Sequence, residues 1–258
     1  MMRLGPAGLG SVKEAIDNLI SYKKLGIKAC EIAFTYGIYI HNNSDALKIG
    51  EKAKELDINL SIHSPYWINL NSSEKRKIEE SKNRILACCK IGELLGAKRV
   101  VFHAGFYGKI DREISFLNIR KAVLEMLEEI KKNKWKIKIA AETMGKINVF
   151  GSAEEILRLV KETGCSFCLD FAHLLAREQG KIRYEEIYEK FKSFTEIHCH
   201  FSGIIYGEKG EKSHKLTPEV EIRNLLSSLP KNKDITIINE SPEPIQDSLK
   251  MIEIWKKI

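Results

Sequence analysis

Short, nearly continuous apolar runs alternate along the chain with longer stretches whose apolar residues recur at the helical period. The runs lie near residues 2–5, 29–34, 58–63, 99–103, 137–142, 166–170, 196–201 and 234–240. The amphipathic stretches lie near 11–25, 43–56, 73–95, 111–133, 152–163, 184–193, 217–229 and 245–258. Runs such as RVVF, IKIAA and DITII have almost no polar face, which is the pattern of strands covered on both sides in a parallel sheet. Eight such strands alternating with eight helices predict the α/β class and one parallel eight-stranded (β/α)8 barrel, a TIM barrel, as a single domain over residues 1–258. An open doubly wound sheet is the alternative. No G-x-G-x-x-G or G-x-x-x-x-G-K-[ST] follows the first run, which argues against a nucleotide-binding sheet.

Local signals mark the helix ends. Ser11-x-x-Glu14 and Ser152-x-x-Glu155 have the spacing of capping boxes, in which two orphan backbone donors are satisfied reciprocally. Val12, Ile16, Leu19 and Ile20 follow the 3.6-residue period, and Gly26 sits where that helix should stop. Thr217-Pro218 reads as an N-cap followed by proline at the first helical position.

Composition narrows the class. The chain is 43% hydrophobic and 30% charged, which suits a globular fold and excludes long disorder. No run of about 18 apolar residues is present, so no membrane helix is expected. The first residues, MMRLGPAGLG, lack the apolar core of a secretion signal. Six cysteines at 30, 88, 89, 165, 168 and 199 lie mostly in apolar stretches, where a thiol behaves as a small buried hydrophobe. We read them as reduced and the protein as cytoplasmic. Cys165-Ser-Phe-Cys168 has zinc-knuckle spacing but no second ligand pair, so burial is the expectation. The net charge of +7 permits a polyanionic partner without demonstrating one. Lysines 131, 132, 134, 136 and 138 read as a solvated face.

The candidate chemistry lies at the strand ends. Of seven histidines, six fall at or just beyond the C-terminal end of a strand run: His63, His103, His173, His198, His200 and His214. His41 lies in a polar turn and is read as a surface residue. Glu142, Asp170 and Glu240 end apolar runs in the same way. Any one of these histidines reads more simply as a hydrogen-bonded core or loop residue, and any one acid as a helix cap. Together they carry more weight, because a barrel brings all strand C-termini to one face. Burying several carboxylates there is expensive unless they are paired or bind cations. Imidazoles mixed with carboxylates form the ligand set of zinc or a similar transition metal. The donors outnumber what one tetrahedral ion can use, so two or more metals sharing a carboxylate are expected, an arrangement suited to in-line phosphoryl displacement.

The ordered strand-end segments resemble those of the endonuclease IV family of apurinic/apyrimidinic endonucleases, within the xylose isomerase-like TIM barrels. The similarity runs from about the second strand to Glu240. IHSPYWINLN resembles the family's His-x-x-Tyr-x-x-Asn segment, FHAG its Phe-His-x-Gly, AAETMG the segment with its bridging Glu, LDFAH its Asp-x-x-His, and NESP its terminal Glu-x-Pro. The resemblance implies a metal-dependent hydrolase that cleaves duplex DNA 5′ to an abasic site, leaving a 3′-hydroxyl and a 5′-deoxyribose phosphate. It implies a zinc cluster of two or three ions at the C-terminal face, with manganese as a substitute. It makes His63 and His103 ligands of one metal, with Glu142 bridging to a second that Asp170, His198 and Glu240 complete. His173 and His214 hold the third. Glu142 and Glu240 become the catalytic carboxylates, and Tyr66, beside Trp67, inserts at the abasic site. The partner implied is abasic duplex DNA, with no membrane, and the protein is expected to be a monomer.

The chain departs from the family at three places. Lys212 stands where the family has an Asp two residues before the histidine of the seventh-strand loop, with Glu211 adjacent as a substitute. HCHFSG replaces the family's His-x-Asn-Asp, so His198 is our choice of ligand and His200 its competitor. FTYGIYIHNN lacks the family's DNA-inserting Arg. Two rival readings stand beside the nuclease. Glu142, Asp170, His198 and Glu240 also suit a xylose isomerase-like sugar isomerase or epimerase, which does not need His63, His103, His173 and His214. A non-catalytic binder of damaged DNA would account for the lost Asp and Arg.

Overall fold

The computed structural model describes residues 1–258. Eight strands run parallel: β1 (Met2–Pro6), β2 (Ala29–Ala33), β3 (Asn59–His63), β4 (Arg99–Phe102), β5 (Lys138–Glu142), β6 (Ser166–Asp170), β7 (Glu196–Phe201) and, counting an intervening hairpin, β10 (Asp234–Asn239). Their hydrogen-bonded order is β1-β10-β7-β6-β5-β4-β3-β2. The two ends of that order also meet. Lys28 N donates to Leu4 O at 3.1 Å, Gly8 N donates to Glu31 O at 2.7 Å, and Ala7 bridges Glu31. The sheet therefore closes into the expected barrel rather than the open alternative.

Closure depends on Gly5. A Cβ there would lie 1.7 Å from the carbonyl oxygen of Ala29. Gly5→Ala is expected to destabilise the fold by about 3 kcal/mol through overpacking that the backbone cannot relieve. The midpoint of guanidinium unfolding checks this, and an unchanged midpoint would show that the seam yields freely.

Helices α1 (Ala15–Lys24), α2 (Asn43–Glu55), α3 (Lys75–Leu94), α4 (Arg112–Lys132), α5 (Ala153–Thr163), α6 (Phe171–Arg177), α7 (Tyr184–Lys190), α8 (Glu219–Ser228) and α9 (Pro244–Trp255) surround the barrel. The main apolar core of 61 buried residues fills the space between strands and helices. Lysines 131, 132, 134, 136 and 138 are exposed, as a solvated face requires. No helix is long and apolar enough to cross a membrane.

The Ser152–Glu155 capping box is complete. Two expected caps differ. At Ser11, the Glu14 carboxylate accepts from both Ser11 N and Ser11 Oγ, so the serine hydroxyl is spent on the side chain and α1 begins only at Ala15. Thr217 does not cap α8; its hydroxyl accepts from Gly203 N at 3.2 Å, and Pro218 takes the N-cap position. The competitor for Thr217 is an element absent from the sequence expectation, the antiparallel hairpin β8 (Gly203–Gly207) and β9 (Gly210–Lys215). The short helix α6, directly after β6, is also additional.

Alternation along the strands sorts the barrel interior into layers. Strand residues one step out of phase, such as Cys30, Ile32 and Cys199, join the core beneath the helices. Those in phase face the axis. At the N-terminal end, Arg3–Asp234, Lys138–Glu196 and Arg99–Glu196 pair at 2.8, 2.9 and 3.4 Å. The middle layer holds a small apolar group of Val101, Ala140 and Cys168 beside Glu31, Ser61 and His198. The C-terminal layer is the candidate site.

Candidate metal centre

Six of the donors are delivered by the ends of barrel strands. His63, Glu142 and Asp170 are the last residues of β3, β5 and β6; His103 and Glu240 follow β4 and β10 directly; His200 lies one residue from the end of β7. His173 stands in the first turn of α6, and Glu211 and His214 lie on β9. Glu142, fully buried, occupies the centre. His63 Nε2 and His103 Nε2 lie 3.2 and 3.1 Å from its Oε2, and His173 Nδ1 and His200 Nδ1 each lie 3.3 Å from its Oε1. His200 Nδ1 is also 3.4 Å from Glu240 Oε1.

The donor atoms fall into three groups at the mouth, each with all members within 4.8 Å of one another. They are His63, His103 and Glu142; Glu142, Asp170, His200 and Glu240; and His173, Glu211 and His214. Seven of the eight expected metal residues are thus brought together. The exception is His198. Residues two apart on a strand face the same side but differ in depth by roughly 6.6 Å. Register pairs His200, not His198, with Asp170 at the mouth. His198 sits a layer deeper, with Nε2 3.2 Å from Glu31 Oε2. His200 takes the place expected for it.

Glu211 replaces the expected Asp through a β-bulge. Ile204 pairs with His214 and Ile205 with Ser213, but Tyr206 pairs with Glu211. Lys212 is the extra residue and is exposed. A bulge shifts the alternation by one, so residues three apart share a face. Glu211 Oε2 therefore reaches to 3.4 Å from His173 Nε2. The hairpin tip is held by Gly210, whose φ is +92° and whose Cβ would lie 2.0 Å from Gly145 O.

Outer hydrogen bonds orient the rings. His63 Nδ1 is 2.8 Å from Ser64 O, and His173 Nδ1 is 3.0 Å from Thr143 O. Each contact favours a proton on Nδ1 and leaves Nε2 facing inward as a donor of electrons. His214 Nδ1 lies 2.6 Å from Ser202 Oγ. Asp170 has two jobs. Its Oδ1 accepts from His173 N at 2.7 Å and caps α6, while its buried Oδ2 has no hydrogen-bond partner.

Charge is balanced inside the cluster. Burial pushes the Glu142 carboxyl up, but the His103 and His200 imidazoles outweigh it and hold it well below the usual carboxylate range. Burial pushes His63 down, but its hydrogen bond to Glu142 and the nearby acids carry it up to about 9. Asp170 is raised, chiefly by burial, with His173 opposing. His103 is lowered by burial despite Glu142.

The residues fit divalent cations. An unpartnered buried carboxylate oxygen on Asp170 faces a cluster of acids and imidazoles with no thiol among the three mouth groups. That mixed nitrogen and oxygen set suits zinc, with manganese next. A cavity of about 290 Å³ opens onto it, lined by His63, Tyr66, His103, His173, Glu211 and Glu240 among others. A larger hollow of about 530 Å³ at the opposite end, among Arg3, Glu51, Lys54 and Lys98, gathers no imidazole, so size alone does not locate the chemistry.

Aromatic rings form the rim. Tyr66 and Trp67 are 49% and 57% exposed, and Tyr66 stacks on His103 at 5.7 Å. Tyr36, absent from the sequence expectation, is 83% exposed and lies 6.3 Å from Tyr66 and 6.2 Å from Trp67, ring to ring. It occupies the Arg-free segment after β2. His41 is exposed in a loop, as expected. All six cysteines are free and buried.

Among known proteins, the chain is 31% identical over 273 residues to an uncharacterized protein of Methanocaldococcus jannaschii, covering 100% of this chain and 98% of that one. A probable endonuclease 4 of Mycobacterium leprae is 27% identical over 146 residues, covering 55% of this chain and 56% of the relative. In three dimensions, endonuclease IV from Thermus thermophilus superposes with a TM-score of 0.72 at 18% identity, covering 99% of each chain. A D-psicose 3-epimerase from Clostridium cellulolyticum superposes at 0.69 and 14% identity, over 94% of this chain and 93% of that one. Those two likenesses speak to the fold alone. The sequence profile described as xylose isomerase-like TIM barrel matches residues 21–252. With its closed parallel barrel, the chain belongs to the xylose isomerase-like TIM barrel family.

Proposed function

We propose that the protein is a metal-dependent DNA repair endonuclease that hydrolyses the phosphodiester 5′ to an abasic site. The observation that carries this reading is the third donor group, His173, Glu211 and His214. An isomerase needs only the set supplied by Glu142, Asp170, His200 and Glu240. The other five donors extend the site into a row suited to a phosphate and its two ester oxygens. Similarity to probable endonuclease 4 proteins supports the same substrate. Glu211, supplied by the bulge, removes one motive for reading the chain as a non-catalytic binder.

Zinc ions held by the three groups would supply Lewis-acid charge and an activated water for in-line attack at phosphorus. Glu142 offers one oxygen to His63 and His103 and the other to His173 and His200, so it sets the spacing of the cluster. Glu240, 19% exposed and open to the cavity, orients the attacking water and takes its proton. Tyr66 and Trp67 fill the gap left by a missing base, because an aromatic ring recovers the stacking that the base would have made. Tyr36 extends that wedge where an Arg is lacking. The products are a 3′-hydroxyl and a 5′-deoxyribose phosphate. Free, buried thiols suit a reducing compartment such as the cytoplasm.

Elemental analysis paired with cleavage of an abasic duplex tests the reading. Three metals per chain, with cleavage lost on chelation and restored by zinc, are expected. One metal per chain with ketose epimerisation would favour the isomerase. Cleavage that survives exhaustive metal removal would overturn the mechanism.

A further inference from the structure

Beneath the mouth, the middle layer contains a carboxylate that the site described so far does not use. Glu31 is the central residue of β2 and is fully buried. It is the only charge in the run ACEIAF, where an apolar residue would pack beside Val101, Ala140 and Cys168. A buried carboxylate without partners is expensive, and three side chains converge on this one. Ser61 Oγ donates to Oε2 at 2.7 Å, and His198 Nε2 lies 3.2 Å from the same oxygen. His200 Nε2 lies 2.9 Å from Oε1.

The His200 contact differs from the other two. Glu31 Oε1 and His200 Nε2 face each other at that distance without an aligned hydrogen bond, and the buried Cys168 thiol groups with the His198 and His200 rings, their ligand atoms within 4.8 Å of one another. The opposite ring nitrogen, Nδ1, points up into the cluster toward Glu142 and Glu240. His200 thus spans two layers, with a carboxylate dedicated to its outer nitrogen. His63 and His173 have backbone carbonyls in that role. A carboxylate is the stronger acceptor, because a charge-assisted bond is roughly twice a neutral one.

We propose that Glu31 is the positioning residue of the metal centre. It accepts the Nε2 proton of His200, fixes Nδ1 as the nitrogen presented to the metal shared with Glu142, Asp170 and Glu240, and is itself held by Ser61 and His198. The inference rests on reading the mouth as a metal centre. An outer carboxylate of this kind selects the tautomer, aims the ring and strengthens it as a ligand, and its loss typically weakens metal binding by about 10–100-fold. This also gives His198 a role: it braces the acid that orients its neighbour two residues on.

The test titrates zinc into metal-free wild type, Glu31→Gln and Ser61→Ala, and records histidine ring nitrogen spectra of the zinc-loaded proteins labelled with ¹⁵N-histidine. Wild type is expected to show His200 protonated at Nε2. Glu31→Gln keeps the shape but loses the charge. One metal should bind about 10–100-fold more weakly, while the metal held by His173, Glu211 and His214 keeps its affinity. Ser61→Ala should shift the same metal in the same direction by less, and it serves if Glu31→Gln does not fold. Loss confined to one metal, with a changed His200 signal, is not what a purely structural acid would produce. Unchanged affinity for every metal in the variants, with wild type binding three, overturns the role of Glu31 and leaves the metal centre standing. If wild type binds no zinc, both readings fall.

Discussion

Glu142→Gln is expected to lower chelator-sensitive cleavage of an abasic duplex by at least about 10³-fold, or roughly 4 kcal/mol of transition-state stabilisation at 1.36 kcal/mol per decade. Glu142 belongs to two of the donor groups, and its two oxygens face different pairs of imidazoles. A glutamine carries no charge and offers one oxygen where two are used. Four imidazoles would then surround a neutral amide, and the two groups would lose their common member. Metal content should fall together with activity. The variant is nearly isosteric, so its circular dichroism should match wild type. Activity within tenfold of wild type at unchanged metal content would show that Glu142 does not join the two groups.

Glu211→Ala is expected to remove one metal equivalent and lower cleavage by about 10²–10³-fold, the scale seen when one preorganised electrostatic partner of a reaction is deleted. The neighbouring Lys212→Ala should leave metal content unchanged, because Lys212 is the exposed, bulged residue. Deleting Lys212 altogether makes a sharper comparison. Without the extra residue, regular alternation still places Glu211 and His214 on one face. The deletion should therefore retain three metals. Inductively coupled plasma measurements on the three variants decide the matter. Loss of a metal in Lys212→Ala but not in Glu211→Ala would refute the bulge as the device that fills the group.

Much of the site was legible in the chain because a parallel barrel makes a simple map. Each strand ends on the same face, so His63, His103, Glu142, Asp170 and Glu240 could be grouped from their place at the end of an apolar run. What the pattern lacked was depth along the barrel axis. His198 and His200 have the same parity on β7 and look equivalent as letters. Only the pairing of His200 with Asp170 places one at the mouth and the other a layer below. Glu31 was missed for the same reason. A lone acid inside ACEIAF is a visible anomaly, but its meaning depends on Ser61, His198 and His200, which lie 30, 167 and 169 residues away along the chain.

The hairpin β8–β9 was also unseen, since GIIYGEKGEKSHK has neither strong alternation nor apolar content to mark two strands. Its bulge turned an apparent loss, Lys212 in place of an Asp, into a substitution by Glu211. Tyr36 likewise becomes part of the rim only because the loops after β2 and β3 lie together, with Tyr66 N donating to Thr35 O at 3.1 Å.

By itself, the sequence determined the alternation of strand and helix, the barrel that follows from it, and the kinds of donor at its mouth, because these depend on periodicity and on local residue type. Tertiary structure alone decided which of two histidines faces the cluster, which acid joins the third group and which buried acid lies a layer beneath them. Those outcomes depend on register and bulge, where a shift of one residue turns a side chain to the opposite face and a shift of two moves it by a whole layer.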